Sequence, residues 1–300
     1  MRLQPNLPNA RGFTLVEAII VIVITGIIAG MIAVFIRSPV DAYLDAARRA
    51  ELTDIADTAA RRIARDIRRA LPNSVRNATG STQCVEFIPT KIGARYRAAA
   101  DNTGAGDILD FTTADGSFDM LWLNSAIQPP AQRIAVGDVV AIYNDNTDNG
   151  NAYNGKNAVK IAGVAEPGGT ANSTAITFVA AGGVPFDRKA FPSESPTNRF
   201  FVIPGNEHVV AFDCSTGVLN RHTRILSAVW NQPANCAAMT AGSASTARLA
   251  NNVVIASCSL SYNQAALSRY GIVSIALEIR DVTSGESVKL NHQVQVNNTP

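Results

Sequence analysis

The chain has 300 residues, 47% of them hydrophobic and 17% charged, with 26 Lys and Arg against 24 Asp and Glu for a formal net charge of +2. That is enough for one large domain or two small ones, and it excludes collagen-like, fully disordered and disulfide-dense classes. There is no global basic field, so net charge implies no nucleic-acid partner.

The apolar residues concentrate near the N-terminus. Residues 1–12 are polar and carry Arg2 and Arg11 with no acid. Phe13-Thr14-Leu15-Val16-Glu17 follow, and then Ala18 to Ile36, 19 residues without a charge. At about 1.5 Å per residue such a helix runs about 29 Å, close to the roughly 30 Å of a bilayer core. Gly26 and Gly30 form a GxxxG spacing, which lets helices approach closely in lipid. A secretory signal peptide has a shorter apolar region and a small-residue cleavage site after it. Here the run flows into more helix, with Arg37-Ser38-Pro39 at its end. A plain membrane anchor explains the length but gives Glu17 no role, and a carboxylate at the edge of an apolar run costs about 2–4 kcal/mol unless it has a partner.

The string Gly12-Phe13-Thr14-Leu15-Val16-Glu17, before an unbroken apolar run and after a basic leader, resembles the class III signal of type IV prepilins and type II secretion pseudopilins. The resemblance implies cleavage after Gly12 by a prepilin peptidase on the cytoplasmic face, N-methylation of the new amine on Phe13, and an inner-membrane helix later lifted into a filament. Loss of Arg2 and Arg11 leaves 24 bases and 24 acids. In a filament core the Phe13 amine of one subunit and the Glu17 carboxylate of its neighbour neutralise each other. Such pairs penalise wrong registers more than they add affinity. Arg37, Arg48 and Arg49 beyond the span weaken the positive-inside signal, yet acids are mixed among them and the leader is short, so the N-terminus is placed in the cytoplasm and the rest in the periplasm.

Asp41 to Leu71 reads as helix, with no Gly or Pro before Pro72. Leu52, Ile55, Ala59, Ile63 and Ile67 form an apolar stripe. Asp45–Arg49 and Asp57–Arg61 are favourable i,i+4 pairs, and Pro39 predicts a kink. From Arg37 to Arg76 there are nine Arg and six acids, a local +3. No aromatic residues interleave with these Arg residues and the acids dilute them, so nucleic acid is not an expected partner.

After Pro72 the period changes to short Val, Ile, Phe and Thr runs separated by Gly, Asn, Asp and Pro. Strands are predicted at Cys84–Ile88, Asp107–Thr112, Val139–Tyr143, Val159–Val164, Ala175–Val179, Glu207–Phe212, Val253–Tyr262, Ile272–Arg280 and Ser287–Val296. Loops are predicted at Asn144–Gly155, Ala165–Ser173 and Gln232–Ser245. The fold class is α+β, a long N-terminal helix packed on an antiparallel sheet. The expected divisions are a leader (1–12), a transmembrane or filament-core helix (13–36), an amphipathic helix (37–76) and a β-rich periplasmic head (77–300). Cys84, Cys214, Cys236 and Cys258 make no CxxC pair and suit two disulfides in an exported chain, with three connectivities open.

The segment Arg65 to Pro72, then Val209-Val210-Ala211-Phe212, Gly217 to Arg221 and Leu249 to Tyr262, resembles the J-type minor pseudopilins of type II secretion. Gly106 to Phe111 and Val136 to Asn144 resemble the O-type minor pilin of the mannose-sensitive haemagglutinin (MSHA) pilus. These resemblances imply a structural minor pilin acting in initiation or tip-complex assembly. Its partners would be prepilin peptidase, other major and minor pilins or pseudopilins, and the inner-membrane assembly platform. Known topmost pseudopilins usually lack the Glu, so Glu17 implies another subunit above this one.

No enzyme is expected. His208, His222 and His292 are isolated, and HExxH, Walker A and GxSxG motifs are missing. Asp107, Asp110, Asp115 and Asp119 read as strand and turn residues rather than paired catalytic carboxylates. Asp145 and Asp148, with Thr147, Asn149 and Gly150, partly mimic a calcium loop, but Lys156 stands where the closing acid belongs, so neither metal nor cofactor is expected. The alternatives are a pilus-borne adhesin or ligand-binding head and, less favoured, a membrane-tethered periplasmic enzyme.

Overall fold

The structure is a computed structural model that describes residues 12–113, 115–179, 191–226, 231–264 and 269–300. Residues 1–11 of the expected leader lie outside the described residues. The described chain is a long N-terminal helix followed by antiparallel β-sheets, an α+β fold. It divides into two compact units, Met1–Glu51 and Leu52–Pro300.

Helix α1 spans Leu15–Ile67. In the first unit its side chains from Phe13 to Ile36 are exposed. Pro39 lies inside the helix, which continues on both sides of it rather than ending there. Asp45 pairs with Arg48, and Asp57 pairs with Arg61 at 2.6 Å as predicted.

The second unit holds the apolar stripe. Leu52, Ala59, Ile63 and Ile67 are buried, together with Ala56, Ala60 and Ala64. A fully buried Ile contributes about 1.5–3 kcal/mol, and the alanines let the helix sit close to its sheet. The helix stops four residues earlier than predicted. Its last turn tightens, with Ala70 N–H donating to Ile67 C=O at 2.9 Å, and Leu71 N–H turns to Ile88 C=O at 2.8 Å.

The strands are β1 (Arg76–Asn77), β2 (Cys84–Phe87), β3 (Ile92–Arg95), β4 (Ser117–Met120), β5 (Val139–Ala141), β6 (Ala158–Ala165), β7 (Thr174–Phe178), β8 (Arg199–Ile203), β9 (Val209–Asp213) and β10 (Leu219–Arg224). A short helix α2 (Cys236–Thr240) follows, then β11 (Ser245–Ala250), β12 (Ser259–Gln264), β13 (Tyr270–Arg280) and β14 (Ser287–Asn297). Where the sequence suggested one sheet, there are three, ordered β1-β2-β9-β10-β11, β12-β13-β14 and β3-β8-β5-β6-β7-β4. The first two face the stripe of α1 through one core that includes Phe87, Phe212, Leu260, Val273, Ile275 and Val294.

The third sheet closes on itself. Tyr96 bridges Met120, Arg97 N–H donates to Asp119 C=O at 2.9 Å, and Leu121 N–H donates to Arg95 C=O at 3.0 Å. The result is a six-stranded antiparallel barrel. Its interior is aromatic, with Phe118 against Phe200 at 5.0 Å and against Phe178 at 5.6 Å between ring centroids. The barrel falls within residues 88–208, an insertion between β2 and β9, which pair directly with Phe87 opposite Val210.

Asp107–Thr112 is not a strand. Asp110 accepts from Thr112 N–H at 2.7 Å and donates its own N–H to Asp115 at 2.7 Å, so carboxylates take the backbone groups that a ladder would use. Asp119, fully buried, accepts from Gly169 N–H at 3.0 Å and Asp107 N–H at 3.1 Å. Of the predicted loops, Asn144–Gly155 contains a 3-10 turn with buried Tyr153, and Gln232–Ser245 contains α2.

Disulfides join Cys84 to Cys236 and Cys214 to Cys258. Beside the first lies a charged cluster. Glu86 is fully buried and accepts from Arg76 Nε at 2.7 Å and from Arg224 Nη2 at 2.8 Å. Arg224 also donates to the carbonyl of Met239 in α2, and the Arg76 guanidinium stacks 3.6 Å from the ring centroid of Tyr153. Tyr153 in turn donates to Ser74 C=O at 2.8 Å.

Candidate processing and assembly site

Gly12, Phe13 and Thr14 precede the helix in non-helical backbone, and α1 begins at Leu15. Thr14 Oγ1 accepts from Glu17 N–H at 3.3 Å, and Glu17 Oε2 lies 3.5 Å from Thr14 Oγ1. Thr14-x-x-Glu17 is thus the sequence pattern of a capping box, in which the first residue satisfies an orphan donor of the first turn. The carboxylate also sits where the helix macrodipole is positive. Glu17 therefore has a local role in the first turn of α1, beside any role toward a neighbouring subunit. The signal for it was a threonine three residues before the acid.

The site leaves peptide backbone accessible at the Gly12–Phe13 bond, because the first helical turn starts beyond it. Phe13 is 81% exposed. Exposed Val, Ile and Ala side chains follow, and this N-terminal stretch is long and apolar enough to cross a membrane. Thr25, within the run, donates its hydroxyl to the carbonyls of Val21 and Ile22, the latter at 3.2 Å, so its polar group is satisfied by its own helix. Gly26 and Gly30 have open space where a Cβ would stand.

Asp145 and Asp148 both lie in the loop before the 3-10 turn at Ala152–Asn154. Asp145 Oδ1 accepts from Thr147 N–H at 3.0 Å and Thr147 Oγ1 at 2.7 Å, and a Cβ on Gly150 would collide with it. Asp148 offers its backbone carbonyl to Asn154 at 3.1 Å. Among the described residues no three His, Cys, Asp or Glu converge in a metal-binding group. His222 Nδ1 lies 3.0 Å from Thr246 Oγ1.

His208 is buried, and its Nδ1 accepts from Leu226 N–H at 3.1 Å. Burial, helped by Lys160, lowers its pKa from 6.5 to about 4. The unfolded chain therefore binds this proton more readily than the native one. The stabilisation from the neutral imidazole is complete above pH 6.5 and lost as pH falls through about 4. A shift of this size corresponds to about 3 kcal/mol. Denaturant titrations at pH 7 and pH 4 should show that loss, and His208→Gln should reduce the slope between them by one proton. An unchanged slope would reject the assignment.

The family described as Prokaryotic N-terminal methylation motif matches residues 7–33. No curated protein and no solved structure matches the chain. The matched stretch contains Gly12, Phe13 and Glu17 and most of the apolar run.

Proposed function

We infer from the N-terminal methylation motif that the chain is a type IV pilin-like prepilin, processed by a prepilin peptidase and assembled with other pilins. The motif points to a structural protein of a pilus or pseudopilus. Beyond that, we propose that the chain is a minor pilin or pseudopilin of an MSHA-type pilus or a type II secretion pseudopilus, acting in initiation or tip assembly. Residues 1–12 are removed after Gly12, Phe13 becomes the methylated N-terminus, and the helix waits in the inner membrane with the amine on the cytoplasmic side. The observation that carries the reading is the coincidence of Gly12-Phe13 and Glu17 at the head of a long, fully exposed apolar helix. Two disulfides in the second unit suit an oxidising, exported setting.

The test is mass spectrometry of the chain recovered from cells with and without their prepilin peptidase. The expected species are N-methyl-Phe13 in the first and an intact leader in the second; an intact leader in both ends the proposal. Glu17 is tested alongside. Glu17→Gln keeps a capping-box residue but removes the charge. If Glu17 pairs with a neighbour's amine, the Gln variant is processed and then left out of filaments. Normal incorporation would reduce Glu17 to its local cap. Deletion of the gene should abolish filaments. Filaments that form but fail to adhere would favour the pilus-borne adhesin instead, a reading that the inserted barrel supports.

A further inference from the structure

The barrel is unzipped along part of one seam. Its closing ladder joins Arg97 to Asp119 and Arg95 to Leu121. By the same register the next bonded pair would be Gly93 with Leu123. Instead, the Leu123 carbonyl accepts from Ala126 N–H at 3.1 Å as the chain turns into a 3-10 turn at Asn124–Ala126. On its other side β3 is bonded to β8 in the phase set by Tyr96 N–H to Asn198 C=O, 2.9 Å. Antiparallel alternation then aims the N–H and C=O of Gly93, and the N–H of Arg95, into the open seam. No described residue is bonded to them there.

Where the strands part, a groove of about 460 Å³ opens. Ile92, Ala94, Met120, Leu121, Trp122 and Ile127 line it. Trp122 is 61% exposed and Leu121 44% exposed at its edge. Arg95, also exposed, supplies a positive charge to the same rim. Gly93 leaves room for the neighbouring strand: a Cβ there would press on the Phe201 ring at 3.1 Å.

An unpaired backbone edge selects for another backbone. A lipid or a sugar can fill apolar space, but neither presents alternating amide donors and acceptors at strand spacing. We propose that this seam takes up an extended segment of a partner protein as an added strand alongside Gly93 and Arg95. One apolar side chain of that segment enters the groove under Trp122, and a carboxylate near it meets Arg95. The surface rests on the barrel alone and is independent of N-terminal processing.

The test is calorimetric titration of the full chain in detergent with the peptide acetyl-Thr-Val-Thr-Val-Thr-Asp-amide. The expected Kd lies at about 10–100 µM, on the weak side of the micromolar range. Two further peptides carry N-methyl groups on alternate amides, one in each phase. One phase should weaken binding at least about tenfold, because those amides donate to the Gly93 carbonyl edge, and the other should leave it unchanged. Trp122→Ala, at an exposed position, should weaken the parent peptide about tenfold, and Arg95→Glu should remove the preference for Asp over Lys at the last position. Equal behaviour of the two methylated peptides would mean that side chains alone are held and would overturn the proposal. So would an absence of binding at about 1 mM peptide.

Discussion

Glu86→Ala lowers the stability of the second unit by about 3–5 kcal/mol, measured by denaturant unfolding of the full chain in detergent. The reason is the company Glu86 keeps. It is fully buried between Arg76 and Arg224, and each guanidinium donates to its own carboxylate oxygen. Removing the carboxylate leaves two positive groups facing one another with little access to water. Glu86→Gln should cost less, because one oxygen still accepts. The double change Glu86→Met with Arg224→Met should recover part of the loss, since a paired deletion leaves no uncompensated charge from that pair. If Glu86→Ala cost less than about 1 kcal/mol, water would have to reach the cluster.

Replacing Cys84 and Cys236 by Ser should be at least as damaging. The residues are 152 apart in sequence, and loop-closure entropy for a link of that span amounts to about 5 kcal/mol. The Cys214–Cys258 bond spans 44 and corresponds to about 4 kcal/mol. The two paired-Ser variants should therefore both unfold at lower denaturant, the longer link losing more. A reversed order would place residual structure in the unfolded chain between residues 84 and 236. The longer bond also anchors α2, whose Met239 carbonyl receives Arg224, so its loss and the loss of Glu86 should not be additive.

Much of the α1 stripe and the β13–β14 pair was legible in the residues because each is long enough to express its period. Ile63 and Ile67 on the helix, and Val273, Ile275, Leu277 and Ile279 on β13, sit in one core. The barrel was not legible. β3 and β4 are four residues each, and their identity as partners depends on residues about 25 positions apart meeting at Tyr96 and Met120. β11 was missed because most of its side chains are exposed, so no apolar alternation marks it. Asp107–Thr112 misled in the opposite direction, since Ile108, Leu109 and Phe111 looked like a strand while the acids among them were closing turns. At the N-terminus, Gly12, Phe13 and Glu17 stand out as a motif, whereas the Thr14 cap does not, because a threonine beside an apolar run carries no signal until the start of the helix is known.

The insertion of the barrel between paired neighbours has an evolutionary corollary. Phe87 and Val210 already face each other across a ladder, so the points where the chain leaves and returns are side by side. A hairpin turn could close that gap in the backbone, but the framework would lose the Tyr153 ring that lies against Arg76 and the hydroxyl that donates to Ser74. Exchange or loss of this cassette is therefore open to the backbone, on condition that another side chain takes the place of Tyr153 over Arg76.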